Sequence, residues 1–332
     1  MSTQTVTSNT AEAGASLSND QLPQHLIEAM QRIFQKHPGY RTTAHFNNPS
    51  TPVIARFSVG GGIPRVADVH PFATPKGIAI RFQVDDDIHT DLVAHSFDGF
   101  AVRTGEEFLT FLKFFGGVSA AQAALAAAQE TGGDTSKEQA ALNSAQAIFF
   151  PFLQAHPSAE KFANGFGPNP HNYGTLQYYE PNTHILTNTD GNVVNVRYII
   201  EPADGEHLYG KNEISDLSPS YLEEDLKQRF PEKPIVFTIK AHIADPSDVL
   251  DDATVPYKST TYVPVGTLEI NKVSDDNAER QQQIAFSPTP EKGGIQGIMS
   301  SDDPLIQTRK GVYWISADQR RHEKQTESVD FL

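Results

Sequence analysis

Residues 52–104 read PVIARFSVGGGIPRVADVHPFATPKGIAIRFQVDDDIHTDLVAHSFDGFAVRT, and this stretch decides the fold class. It holds three short β-branched runs, VIARFSV (53–59), GIAIRFQV (77–84) and DLVAHSFDGFAVRT (91–104). Glycine and proline separate them, which is how consecutive strands are punctuated. Upstream, Ser18 and Asp20 offer an N-cap to QLPQHLIEAMQRIFQ (21–35), where Leu26, Met30 and Ile33 recur at helical spacing until Pro38-Gly39 stops the run. Residues 1–18 carry no large branched or aromatic side chain before Leu17 and are expected to be a disordered tail, leaving 19–332 as one domain.

Downstream, 106–115 and 118–152 read as helices, the second interrupted at Thr131-Gly132-Gly133. Strands resume with GTLQYYE (174–180) and ILTNTDGNVVNVRYIIE (185–201), whose Thr-Asp-Gly-Asn centre signals a hairpin. PIVFTIKAHIA (234–244) and VPVGTLEINKV (263–273) follow, around an acidic, proline-bearing loop at 251–258, and DPLIQTRKGVYWISADQRRHEK (303–324) closes with a helix. Many short strands among helices predict an α+β fold: a large antiparallel β-barrel with helices packed outside. No internal repeat is present.

Twenty-six Lys+Arg against 41 Asp+Glu give a formal charge of −15, which argues against nucleic acid or an anionic membrane as partner. Twenty Phe and 10 Tyr supply bulk for a sizeable core. The absence of cysteine excludes disulfides, thiolate-bound zinc, iron–sulfur clusters and cysteine nucleophiles. The N-terminal stretch has neither a basic start nor an apolar run, and ESVDFL at the other end matches no address signal, so a cytoplasmic location is expected.

Gly60-Gly61-Gly62 lacks the Lys-Ser/Thr and the following helix of a phosphate loop and reads as a turn. Asp85, Asp87, His89 and Asp91 alternate as one strand face could; they suit either a hard cation or a solvated strand end. Arg309 and Tyr313 stand at i and i+4, so a guanidinium meets a phenol on one helix face. The cation favours phenolate, the anionic oxygen that ferric haem accepts in catalases. The same spacing also fits an ordinary helix pair with a core tyrosine.

Five blocks in order, PVIARFSVGGGIPR, PKGIAIRF, TDLVAHSFDGFAVRT, FGPNPHNYGTLQYY and SDDPLIQTRKGVYWISADQRR, resemble the catalase-related peroxidases, short haem proteins akin to monofunctional catalases. The resemblance runs from about Leu22 to Arg321. It implies a haem b peroxidase on the catalase barrel, taking hydrogen peroxide or an organic peroxide and a small organic reductant. Residue by residue, it implies Tyr313 as the iron ligand and Arg309 as the arginine that ionises it. It implies Arg41, Arg56 and Arg320 as propionate anchors, Phe108 as a ring lining the haem pocket, and Ser58 as the partner of the distal histidine. Ungapped counting from Arg103 lands the distal asparagine on Ser96, with Asp98 an equally available neighbour.

One departure stands out. The family's His-Ala-Lys-Gly segment after the first arginine is absent: Arg41-Thr42-Thr43 runs straight into Ala44-His45-Phe46. Roughly 20 residues, two strands' worth, are missing there, and with them the first barrel strand and the distal histidine. His45 either takes over as the distal base or belongs to a connecting segment. The chain is accordingly read as a haem peroxidase, or as a degenerate, haem-poor barrel with little catalysis, or as a sequence with a misplaced exon boundary at Thr43–Ala44.

Overall fold

A computed structural model describes residues 52–59, 67–70, 73–83, 89–165, 169–187, 191–210, 212–289 and 298–322. The expected tail, the helix at 21–35, the turn at 60–62, and both Arg41 and His45 lie outside the described residues.

The three opening runs form β1 (Val53–Val59), β2 (Lys76–Gln83) and β3 (His89–His95), paired antiparallel in that order. Their alternation is what two-sided strands require. Ile78, Ile80, Phe82, Leu92 and Ala94 turn inward, so Arg56, Ser58, Gly77, Ala79, Val93 and His95 belong to the outer face. Six further strands follow: β4 (Tyr178–Tyr179), β5 (His184–Thr187), β6 (Val193–Pro202), β7 (Ile235–Ile243), β8 (Tyr262–Ile270) and β9 (Ile298–Ser300). The ladder order is β1-β2-β3-β4-β6-β5-β9, with β7 on the other edge of β6 and β8 beyond it. The hairpin signal is met: Thr187 pairs with Val193, and Gly191 takes φ 84°, which glycine adopts without penalty. GTLQYYE gives only the two-residue β4. Asn172 Oδ1 accepts from Gly174 N (2.9 Å) and winds the preceding residues into a 3-10 turn, a local side-chain bond that competes with the ladder.

Inward residues from both ends of the ladder, Ile78 and Ile80 as well as Val263, Val265 and Leu268, share one buried cluster. The sheet therefore curls around a common core, each fully buried aliphatic side chain contributing about 1.5–3 kcal/mol. Among the described residues no ladder joins β1 to β8. A cleft of about 370 Å³ lies between Val53, Ile54, Ala55 and the Glu269, Ile270 end of β8. The fold is α+β and barrel-like, open along that seam among the described residues.

Helices cover the outside. α1 (Gly105–Glu130) starts from a capping box in which Thr104 Oγ1 accepts from Glu107 N and Glu107 Oε2 accepts from Thr104 N, an arrangement that stabilises by about 1 kcal/mol. It runs through Gly116-Gly117, where the sequence suggested a break. Both glycines are exposed, so they cost only propensity, and Phe111, Val118 and Leu125 carry the packing. α1 is also long and apolar enough, by length and composition alone, to cross a membrane, with Leu109 and Leu112 among its exposed residues. After the break at Thr131-Gly132-Gly133, α2 (Ser136–Ala155) returns with Leu142, Phe149 and Leu153 to complete a second core. α3 (Pro157–Asn164) adds Phe162 to it, α4 (Tyr221–Arg229) buries Leu222 in a separate cluster with Tyr173 and Tyr221, and α5 (Asn277–Gln283) packs against the final helix. That helix, α6 (Pro304–His322), begins at Asp303, whose Oδ1 accepts from Leu305 N (2.8 Å), with Pro304 in its first turn.

Candidate functional site

The outer face of β1–β3 and the inner face of α6 enclose a cleft of about 230 Å³ that opens to solvent on one side. Its floor is small: Gly77 and Ala79 occupy the middle strand, flanked by Ser58 and His95 in one cross-strand row and by Arg56 and Val93 in the next. A Cβ added at Gly77 would sit 2.6 Å from Ser58 Oγ, so the glycine brings the backbone of β2 flush with the cleft. Helical spacing supplies the opposite wall, since Arg309, Tyr313, Ser316 and Arg320 recur along one stripe of α6.

Arg309 is buried and fully engaged. It donates to Asn182 Oδ1, to Val93 O (3.1 Å) and to Tyr313 Oη (3.2 Å), and Glu180 Oε1 lies 3.8 Å away. Burial works against its charge, but Tyr313 and Glu180 outweigh that and raise its pKa. Glu180, itself buried, accepts from Val93 N (2.7 Å), so the pair ties β3, the β4 region and α6 together. At the open side Arg56 lies with its guanidinium 4.9 Å from the Phe286 ring centroid, held down to a pKa of about 10 by burial and then by the neighbouring Arg320. Arg320 donates to Ile284 O (2.7 Å) and Ser316 Oγ (3.1 Å). Two guanidiniums of like charge facing one cleft make it a receptor for carboxylates or other anions.

Of the residues singled out from the sequence, the structure brings Arg56, Ser58, Arg309, Tyr313 and Arg320 to this one cleft. Phe108 stands further back on α1, packing against Phe100 at 4.9 Å, and the Phe100 ring in turn meets His95 edge-on at 5.9 Å. Ser96 is not among the cleft residues; its Oγ accepts from Lys76 N (3.1 Å) at the end of the β2–β3 ladder. Asp98 is exposed. Of the four alternating residues at 85–91, Asp85 and Asp87 lie outside the described residues, while Asp91 is taken by Arg81 through Nε–Oδ1 (2.9 Å) and Nη2–Oδ2 (2.8 Å) bonds; among the described residues no His, Asp and Glu cluster able to hold a metal ion occurs. Counting from Arg103 missed His95, one residue before Ser96. The alternation of β3 signals it: with Leu92 and Ala94 inward, Val93 and His95 must face out. Nothing in the sequence marks Glu180 as the counter-charge of Arg309.

Residues 33–329 match the family model described as Catalase. The chain is 26% identical over 276 residues to a catalase-related peroxidase of Mycolicibacterium paratuberculosis, covering 83% of this chain and 80% of the relative. It is 25% identical over 285 residues to a catalase-related peroxidase of Synechococcus elongatus, covering 85% and 76%. Against catalase isozyme 1 of Zea mays it is 28% identical over 287 residues, spanning 82% of this chain but only 52% of that longer protein. Among solved structures, a fungal catalase superposes with a TM-score of 0.63 at 18% identity, over 96% of this chain and 66% of the other. Catalase A from Saccharomyces cerevisiae gives 0.63 at 18%, over 96% and 68%, a likeness of fold.

Proposed function

The chain belongs to the catalase family, and from that premise we propose that it is a haem-dependent oxidoreductase that consumes hydrogen peroxide or an organic peroxide with a small organic reductant. The observation that carries this reading is the cleft wall of α6, where buried Arg309 donates to the Tyr313 phenol opposite a small-residue floor.

The cleft residues suit haem b. Tyr313 offers the phenolic oxygen that ligates iron in catalases. Arg56 and Arg320 offer two cations for two propionates, and Arg41, outside the described residues, belongs to the same assignment. Gly77, with no Cβ to crowd Ser58 Oγ, keeps the strand floor low, which suits a flat ligand. When bound, haem supplies the electron chemistry of peroxide reduction.

The protein's own part is positional and electrostatic. Arg309 donates to the Tyr313 phenol oxygen and so fixes its direction within the cleft. Asn182 and Val93 O hold the guanidinium fixed, while Glu180 balances its charge. Phe100 and Phe162 pack edge-on against His95 behind the cleft. Haemin titrated into the chain, followed by absorption and by peroxide-dependent oxidation of a phenolic donor, tests the proposal. Saturable uptake with turnover is expected; turnover equal to that of free haemin overturns it.

A further inference from the structure

His95 is the one cleft side chain whose two ring nitrogens are both buried with no hydrogen-bond partner among the described residues. An imidazole ordinarily satisfies at least one nitrogen when buried, and leaving a buried polar atom unpaired is costly. The ring is nonetheless held firmly, with Phe100 at 5.9 Å and Phe162 at 6.1 Å, both edge-on. It shares a cross-strand row with Gly77 and Ser58, so the missing Cβ of Gly77 opens the space between the two polar side chains. The nitrogens are therefore kept available to something that enters the cleft.

We propose that His95 is a catalytic residue of this chain, the group that accepts the first proton of a peroxide bound in the cleft. The proposal rests on the functional reading above and relocates the proton-handling residue to β3, away from the segment lost at Thr43–Ala44. In the step, a peroxide O–H bond breaks, its electron pair stays on oxygen, and the proton goes to a ring nitrogen of His95. Burial, and then nearby Arg309, push the pKa of the ring down to about 3, so at pH 7 the ring is neutral and one nitrogen carries a lone pair. The anion formed beside it favours the imidazolium while the proton is held. Ser58, across Gly77, is positioned to orient the peroxide.

Three readouts on His95→Leu in the full chain test this. With haemin bound, turnover of hydrogen peroxide falls by roughly 10²–10⁴-fold, the range for a lost general base. Cyanide, which must also give up a proton to bind as an anion, binds the ferric form at least about tenfold more weakly. In the haem-free chain the melting temperature does not fall and rises by a few degrees, because two unpaired buried nitrogens are gone. A residue kept for structure would lower it. Wild-type turnover and cyanide affinity in the variant, with haemin taken up normally, overturn the assignment alone. A fall in melting temperature with no change in cyanide affinity also overturns it. Failure of the unmodified chain to take up haemin overturns the functional reading, and this inference with it.

Discussion

Replacing Glu180 with Gln probes the electrostatic support of the cleft wall without changing its shape. Glu180 is 2% exposed and Arg309 6% exposed, with Oε1 and Nη1 3.8 Å apart. At an effective dielectric constant near 20 two unit charges at that distance attract by about 4 kcal/mol. An amide can still accept from Val93 N, so the bond at 2.7 Å survives and the loss is the counter-charge. Breaking a buried pair on one side typically costs about 3–5 kcal/mol. Because Asn182, Val93 O and Tyr313 continue to hold the guanidinium, a value near the lower end, about 3 kcal/mol, is expected. Urea denaturation at pH 7 measures it as a fall in midpoint at unchanged slope. The double variant Glu180→Gln with Arg309→Met should be less destabilised than the sum of the single changes by about 2 kcal/mol, since no unpaired charge remains. A loss below about 1 kcal/mol for Glu180→Gln, or strict additivity, would refute the argument that this pair anchors α6 to the sheet.

Arg56→Gln and Arg320→Gln should each speed haem loss by about tenfold or more, as one charge-assisted contact is worth roughly 1.5–3 kcal/mol; transfer to apomyoglobin measures the rate, and unchanged rates in both would remove the anion-receptor role. Lys76 is buried with Nζ donating to Asp68 O (2.8 Å) and Ala73 O (2.7 Å), and burial lowers its pKa from 10.5 to about 8. Its folded pKa lies below the unfolded one, so the unfolded chain binds more protons in the window between. The lysine's contribution to stability therefore rises with pH from 8 to 10.5, by about 3 kcal/mol, relative to Lys76→Met. Urea midpoints of the two proteins at pH 7.5, 9 and 10 check it, and parallel curves would count against it.

The fold was legible wherever local periodicity and global packing agree. Period-two alternation in 53–59 and 77–84 and the Asp190-Gly191 turn signal lead directly to β1, β2 and the β5–β6 hairpin. Continuous α1 was not, because glycine propensity is a weak cost that Phe111 and Val118 override through contacts with α2. The helix wall of the cleft was legible since Arg309, Tyr313 and Arg320 lie on one helix, where spacing fixes the face. The far side depends on which strand residue opposes which. His95 and Ser96 differ by one position, yet only His95 reaches the cleft while Ser96 Oγ accepts from Lys76 N, so a count made from Arg103, beyond the strand end, could not separate them. The Glu180–Arg309 pair joins residues 129 apart, a proximity that only the packed chain creates.

The central claim is that this cleft holds haem through Tyr313. The most direct measurement is an anaerobic titration of haemin into the purified chain and into Tyr313→Phe, a change that keeps the ring and removes only the oxygen. Absorption and resonance Raman spectra would be recorded at each addition. One equivalent bound by the unmodified chain with a phenolate–iron signature, and loss of that signature with weaker uptake in Tyr313→Phe, is the result predicted. Identical spectra and equal affinity in the two proteins, or no saturable uptake by either, would contradict it.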